Sequence, residues 1–248
     1  MVYNYHTHTP YCDGESSAED IVKKAIQLGL SELGFSGHSY TEFDREPCMT
    51  PRDTELYKRE ITALKEKYKD TITILLGIEC DYFSDEPLDE YEYVIGSVHY
   101  VFKEGHYLFV DYSKEMQVEA VNRYYNGDFY AFAEDYFSTV ADLYNKTKCD
   151  IIGHFDLITK FNADGSLFDE NHPRYIAAWQ KAADALIQTP AVVEINTGAV
   201  CRGYTKEPYP SNTIIEYFKQ RGKTLIFSSD CHNKEFLLFG YERVKQYL

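Results

Sequence analysis

The chain has 248 residues, enough for one large α/β barrel or two small domains with a substantial buried core. Its 25 Lys and Arg against 40 Asp and Glu give a formal charge of −15, which argues against a nucleic-acid polymer as partner, because phosphate-backbone binding rests on neutralisation by Lys and Arg. Hydrophobic residues make up 44% and charged residues 26%, and no apolar run approaches the roughly 20 residues of a membrane span, so the composition is that of a soluble globular protein rather than a membrane protein.

Short apolar runs alternate with amphipathic stretches, the pattern of βα units around a mainly parallel sheet. The first strand is expected over Val2–His6 and is followed by a helix over Ala18–Leu28, with Gly29 at its C-terminal stop. A second strand, Glu32–Ser36, leads to a helix over Thr54–Lys69 that Asp53–Thr54 could cap. Strands over Thr73–Glu79 and Tyr93–His99 come next, and then two helices, Lys114–Tyr125 and Asp128–Asn145. The fifth strand, Asp150–His154, precedes a helix over Pro173–Ile187. The sixth, Ala191–Asn196, precedes a helix over Ser211–Gln220 with Ser211 as cap and Gly222 as stop. The seventh, Thr224–Ser229, precedes a last helix over Lys234–Tyr247. No linker-like composition shift and no repeat of fixed period interrupts this series, so residues 1–248 read as a single domain.

The six cysteines (Cys12, Cys48, Cys80, Cys149, Cys201 and Cys231) form no C-x-x-C pair, and their scatter fits neither a zinc ribbon nor a small disulfide scaffold. They read as reduced, mostly buried thiols. The N-terminus, MVYNYHTHTPYCDG, has neither the basic nor the apolar region of a signal peptide, and a cytoplasmic location is the expectation.

The metal-type residues fall on this map in a telling way. His6 and His8 end the first strand, His38 follows the second, Glu79 ends the third, His99 the fourth and His154 the fifth. Asn196 ends the sixth, and Asp230 and His232 end the seventh. In a parallel barrel the C-terminal ends of all strands meet at one rim, so residues more than 220 positions apart would converge there. Neutral imidazole and carboxylate together suit Zn, Mn or Fe. In an extended segment H-x-H puts both rings on one side, and Asp230-Cys231-His232 repeats that geometry at the other end of the chain. Glu79, as a carboxylate, can bridge two ions. The remaining histidines, His106 and His172, read as surface residues of a loop and a helix start.

The segments HTHTPYCDG (His6–Gly14), GHS (Gly37–Ser39), GIE (Gly77–Glu79), GSVH (Gly96–His99), GHFDLITKF (Gly153–Phe161), EINTG (Glu194–Gly198) and SSDCH (Ser228–His232) resemble, in order and over nearly the whole chain, the polymerase and histidinol phosphatase (PHP) family. GSVHY from Gly96, the GH-x-D-L-x-x-K-F run, and INTG followed by Arg202 and YPS at Tyr209–Ser211 are most similar to its histidinol-phosphatase branch. The resemblance implies a distorted seven-stranded (β/α) TIM-like barrel with two or three divalent ions (Zn, Mn or Fe) at the C-terminal rim. His6, His8, Glu79 and Asp230 would hold one ion; Glu79, His99 and His154 a second; His38, His232 and Asp13 a third. Many members carry a histidine where this chain offers Asp13. Asn196 would stand near the ions without ligating them.

The implied reaction is hydrolysis of a phosphate monoester, with histidinol phosphate in histidine biosynthesis as the expected substrate and nucleotides or other small phosphoesters as the alternative. Divalent ions at such a rim lower the pKa of a water molecule and neutralise phosphoryl oxygens. Glu79, Asp230 and His232 are the catalytic candidates, and the proton donor to the leaving group stays open between Asp13, His232 and water. Lys160 and Arg202 each follow a ligand-bearing strand end by a few residues and are the candidates for binding the phosphate dianion. Arg45 reads as a surface residue. Asp156, Glu42 and Asp111 are nominated for the ammonium and imidazole of histidinol phosphate, with surface, cap or ligand-supporting roles as their alternatives. An amidohydrolase would also begin with H-x-H and end with Asp, but typically uses a lysine at its fourth strand and has eight strands. A metal-binding sensor with a degenerate site is disfavoured by the near-complete ligand set. The oligomeric state is not legible.

Overall fold

The structure of the protein, a computed structural model, describes residues 2–248. Seven of its strands run parallel: β1 (Tyr3–Asn4), β2 (Glu32–Phe35), β3 (Thr73–Asp81), β4 (Tyr93–Ser97), β7 (Ile151–Ile152), β8 (Val192–Asn196) and β9 (Leu225–Ser228), hydrogen-bonded in that order. A further antiparallel pair, β5 (Tyr100–Lys103) and β6 (His106–Phe109), stands outside that sheet. The chain just past β1 meets the chain just past β9: His8 N donates to Cys231 O at 2.8 Å and Cys231 N to His6 O at 3.0 Å, which nearly closes the sheet into the expected barrel.

The connecting helices are α1 (Ala18–Gln27), α2 (Pro51–Tyr68), α3 (Lys114–Tyr125), α4 (Phe129–Thr147), α5 (Pro173–Ile187), α6 (Gly198–Cys201) and α7 (Asn212–Gln220). Their sequences explain most of their limits. Ser17 caps α1, and Gly29 follows it in the left-handed region at φ 75°. The start of α2 lies earlier than expected from Asp53–Thr54: Thr50 is the cap, Pro51 takes the first helical position, and Asp53 returns the bond to the Thr50 backbone. Ser211 does sit at the cap position of α7, but its side chain makes no capping bond, and its N–H instead reaches Asp156 Oδ2 at 3.0 Å.

Besides the short helix α6, which was not expected, two longer stretches depart from the sequence expectation. The β5–β6 hairpin has no counterpart among the expected elements; its turn has positive φ at both Glu104 (49°) and Gly105 (83°), the geometry that matches the twist of paired strands. The expected last helix is broken into a short 3-10 turn at Lys234–Phe236, four α-helical residues at Tyr241–Val244 and a second 3-10 turn at Lys245–Tyr247. The break falls at Gly240, left-handed at φ 78°, where a Cβ would lie 2.8 Å from Thr197 Cγ2.

Inside the barrel the Tyr93 ring occupies the space that Gly34 and Gly77 leave open. A Cβ on either would come within 2.3 Å of that side chain, whose hydroxyl donates to Tyr5 O and Phe35 O. With Ile95 and Ile151 it forms a small cluster apart from the larger core between sheet and helices. All six cysteines are free thiols, four of them buried. No helix among the described residues is long and apolar enough to cross a membrane.

Candidate metal centre and its cavity

The rim of the barrel brings the expected residues together. Glu79, at the centre, is met by five imidazoles. Its Oε2 lies 3.1 Å from His6 Nε2, 3.5 Å from His8 Nε2 and 3.0 Å from His38 Nδ1. Its Oε1 lies 3.4 Å from His99 Nε2 and 2.9 Å from His154 Nε2. Asp230 Oδ1 approaches His8 Nε2 at 3.3 Å and His6 Nε2 at 3.7 Å. Asp13 stands between His8, His38 and His232, closest to His232 Nε2 at 3.1 Å. Three groups have ligand atoms close enough to share an ion: His6, His8 and Glu79; His38, Glu79 and His99; and His8, Asp13, His38 and His232. His38 and His8 thus each serve two groups, where the sequence assigned each to one.

The residues fit cations. His6 Nε2, His8 Nε2, His154 Nδ1 and Glu79 Oε2 are fully buried and make no directed hydrogen bond within the protein. Such groups are costly unless something meets them, and here His6 Nε2, His8 Nε2 and Glu79 Oε2 aim at one small region. The electrostatics agree. Burial alone would raise the pKa of Glu79, Asp13 and Asp230, yet the surrounding imidazoles, and Arg202 for Asp230, hold all three carboxyls well below the ordinary range. His8 is pushed down to about 3 by burial and by the neighbouring His232 and His38, so its ring stays neutral with a lone pair to give. His6 goes the other way: burial is overcome by Glu194, Glu79 and Asp230, which demand positive charge beside it. Asp230 takes a left-handed φ of 49°, a conformation that Asp tolerates better than most residues.

A cavity of about 380 Å³ opens over this centre. Lys160 and Arg202 both line it, with Asp44, Asp111, Tyr100 and Tyr204. Arg202 donates to Asp230 Oδ2 at 3.0 Å and to Asp230 O at 3.3 Å, and lies 3.2 Å from His232 Nδ1. Lys160 donates to Asp111 O at 2.7 Å and Asp111 Oδ2 at 3.1 Å. Burial works to raise the Asp111 pKa, but Lys160 and His99 keep it low.

Other nominated residues sit elsewhere. Glu42 and Arg45 lie together away from the centre, Arg45 Nε bonded to Glu42 O at 3.3 Å. Asp156 is buried, raised to about 7 by desolvation, and engaged with Ser211 N. His106 is exposed on β6, and His172 caps α5 while stacking on Tyr130. Both ends of the Asn196 amide are engaged within the protein, bridging Glu194 and Gly198 N.

Two buried carboxylates in contact with the candidate ligands have no role in the sequence reading. Asp81 Oδ2 accepts from His99 N at 3.0 Å and lies 3.2 Å from His99 Nδ1. Glu194 Oε2 lies 2.9 Å from His6 Nδ1, and its Oε1 accepts from His154 N at 2.7 Å. The available signal is alternation: Asp81 is two residues beyond Glu79, and Glu194 two before Asn196, on the same faces of their strands.

Known proteins share this architecture and sequence. The PHP domain family model matches residues 4–198. A Schizosaccharomyces pombe protein named "Probable histidinol-phosphatase" is 28% identical over 271 residues, covering 100% of this chain and 86% of its own. A Bacillus subtilis histidinol-phosphatase is 27% identical over 262 residues and covers 96% of each chain. In structure, a Listeria monocytogenes protein named only provisionally as a histidinol phosphatase superposes with a TM-score of 0.86 at 20% identity, over 98% of this chain and 99% of that one. A Lactococcus lactis histidinol phosphate phosphatase, whose crystal contains zinc, L-histidinol and phosphate, gives 0.69 at 19% identity, over 99% and 93%. With the family model covering most of its length and the matching residues gathered at one rim, the chain belongs to the PHP domain family.

Proposed function

We propose that the protein is a phosphoric monoester hydrolase whose substrate is L-histidinol phosphate, released as L-histidinol and phosphate in the course of histidine biosynthesis. The observation that carries the reading is a single cavity floored by histidines and carboxylates and walled by two cations, Lys160 and Arg202. His6, His8, Asp13, His38, Glu79, His99, His154, Asp230 and His232 would hold two or three divalent ions (Zn, Mn or Fe), which when bound supply Lewis acidity and lower the pKa of a water molecule.

The rest falls to side chains of the chain itself. Arg202, anchored on Asp230, and Lys160, anchored on Asp111, present N–H donors to a phosphate dianion and fix its orientation. Glu79 keeps the imidazoles in register around it. Asp13, whose carboxyl is held ionised, only accepts; His232, 3.1 Å from it and facing the cavity, or water is placed to supply the proton for the departing alkoxide. Asp44 and Asp111 offer negative charge to the substrate ammonium, and Tyr100 and Tyr204 offer ring faces to its imidazole. The names carried by relatives that align over nearly the whole chain support this choice of substrate. The free thiols and the acidic net charge are in keeping with a cytoplasmic, single-domain enzyme that handles small molecules.

The test is phosphate release by protein prepared separately with Mn, Fe and Zn, on L-histidinol phosphate, nucleotide monophosphates, sugar phosphates and a phosphodiester. The expected outcome is a kcat/KM for L-histidinol phosphate at least about a hundredfold above every other compound, a discrimination well within what matched polar contacts provide. A flat profile, or a preference for nucleotides or diesters, overturns the substrate assignment.

A further inference from the structure

The Glu194 carboxylate accounts for all four of its acceptor positions. Its Oε1 accepts from His154 N at 2.7 Å and from Asn196 Nδ2 at 2.8 Å. The orientation of the Asn196 amide is settled by its other end, because Asn196 Oδ1 accepts from Gly198 N at 2.9 Å and so turns the NH2 toward Glu194. Glu194 Oε2 accepts from the Ser228 hydroxyl at 2.5 Å and faces His6 Nδ1 at 2.9 Å. An ionised carboxylate only accepts, so His6 must carry a proton on Nδ1. In the neutral ring the lone pair then lies on Nε2, which faces Glu79 and Asp230 and is buried without a hydrogen-bond partner in the protein. Glu194 is fully buried, and through one side chain it ties His6 beyond β1 and His154 beyond β7 to β8 and to Ser228 of β9.

We propose that Glu194 is a positioning residue that fixes His6 as an Nε2 ligand and couples the place of His6 to that of His154. The proposal rests on the metal-site reading given under the proposed function. Replacement by glutamine makes it sharp. In Glu194→Gln the side-chain oxygen must face His154 N and Asn196 Nδ2, which can only donate. The new NH2 must therefore face Ser228, whose hydroxyl can rotate to accept, and His6 Nδ1, which must then accept. The proton of neutral His6 moves to Nε2, and the lone pair needed for a metal is lost. Side-chain volume hardly changes.

The experiment uses zinc-loaded protein dialysed against graded concentrations of a chelator, with bound zinc counted by mass spectrometry for wild type, Glu194→Gln and Ser228→Ala. Wild type is read first: if it binds neither zinc nor, prepared with them, manganese or iron, the metal reading itself fails, and this outcome is distinct from failure of the present proposal. The expected result is that Glu194→Gln loses one zinc at about 10- to 100-fold lower chelator than wild type, the usual cost of removing a partner from behind a metal-bound histidine. Ser228→Ala, which strips a donor from the same oxygen but leaves the His6 bond, is expected to hold zinc like wild type. Equal retention by both variants overturns the proposal, and so does equal loss from both, which would mark a packing effect. Nitrogen NMR of histidine-labelled, cadmium-loaded wild type gives a reading independent of any variant's folding. His6 is expected to show metal coupling at Nε2 and an exchange-protected proton on Nδ1; coupling at Nδ1 overturns the proposal.

Discussion

Replacing Arg202 by alanine separates a phosphate-binding role from a metal-holding one. Its guanidinium reaches Asp230 through Oδ2 and the backbone carbonyl, while the other carboxylate oxygen, Oδ1, faces His6 and His8. Loss of the guanidinium therefore leaves the ligating edge of Asp230 in place, and metal content is expected to stay at the wild-type value. A hydrogen bond to a charged group contributes about 1.5–3 kcal/mol. One lost contact of about 2 kcal/mol lowers kcat/KM about 30-fold, and a two-pronged grip of about 4 kcal/mol lowers it about 1000-fold. The Arg202 side chain is 36% exposed, so solvent screens part of the interaction and the lower figure is the expectation. Arg202→Lys keeps the charge but not the fork and should fall between alanine and wild type. The assay is initial-rate phosphate release from L-histidinol phosphate, with metal counted on the same samples. An alanine variant within about threefold of wild type refutes the phosphate contact, since about 0.6 kcal/mol is too little for a charged hydrogen bond. A loss that tracks missing metal refutes it in another way, by showing that Arg202 acts through Asp230.

Removal of bound metal should destabilise the fold. Binding at about a hundred times Kd contributes about 2.7 kcal/mol, so a chelated sample should melt about 5–10 °C lower, and an unchanged Tm would contradict a fold-linked metal centre. Gly77→Ala would drive a Cβ to 2.2 Å from the Tyr93 ring at the barrel axis. Overpacking of this kind costs about 3 kcal/mol, so Tm should drop about 6–12 °C, and a variant melting with wild type would mean the ring can leave its place without penalty. Lys160→Met keeps the apolar stem over Phe161 and Tyr204 but removes the charge, and it should raise KM about tenfold with little change in kcat. A fall confined to kcat would place Lys160 in the chemical step instead.

Much of the fold and of the candidate site was legible along the chain. The βα alternation located seven parallel strands, and the ligand-type residues at their ends required only that those ends share a rim. Limits of α3 and α5 were readable from local signals, as was the stop after α1 at Gly29. The β5–β6 hairpin had a signal too, Glu104-Gly105 between two aromatic-rich runs, but it adjoins His99 closely enough to be absorbed into the preceding strand and loop. The last helix failed at Gly240, which turns left-handed at φ 78° where a Cβ would meet Thr197, more than forty residues away in sequence.

The sequence by itself determined which residue types stand at the rim, because side-chain direction along a strand and the position of a strand end are local properties with a period of two. Only the tertiary structure decided which atoms meet. It showed that His38 and His8 each belong to two candidate ligand groups, that Lys160 is held by Asp111, and that Glu194, 188 residues from His6, lies 2.9 Å from His6 Nδ1. Such partnerships depend on how neighbouring strands are staggered in the barrel. That stagger comes from packing the whole core at once, including Tyr93 in the space over Gly34 and Gly77, and no spacing between two residues in the chain encodes it.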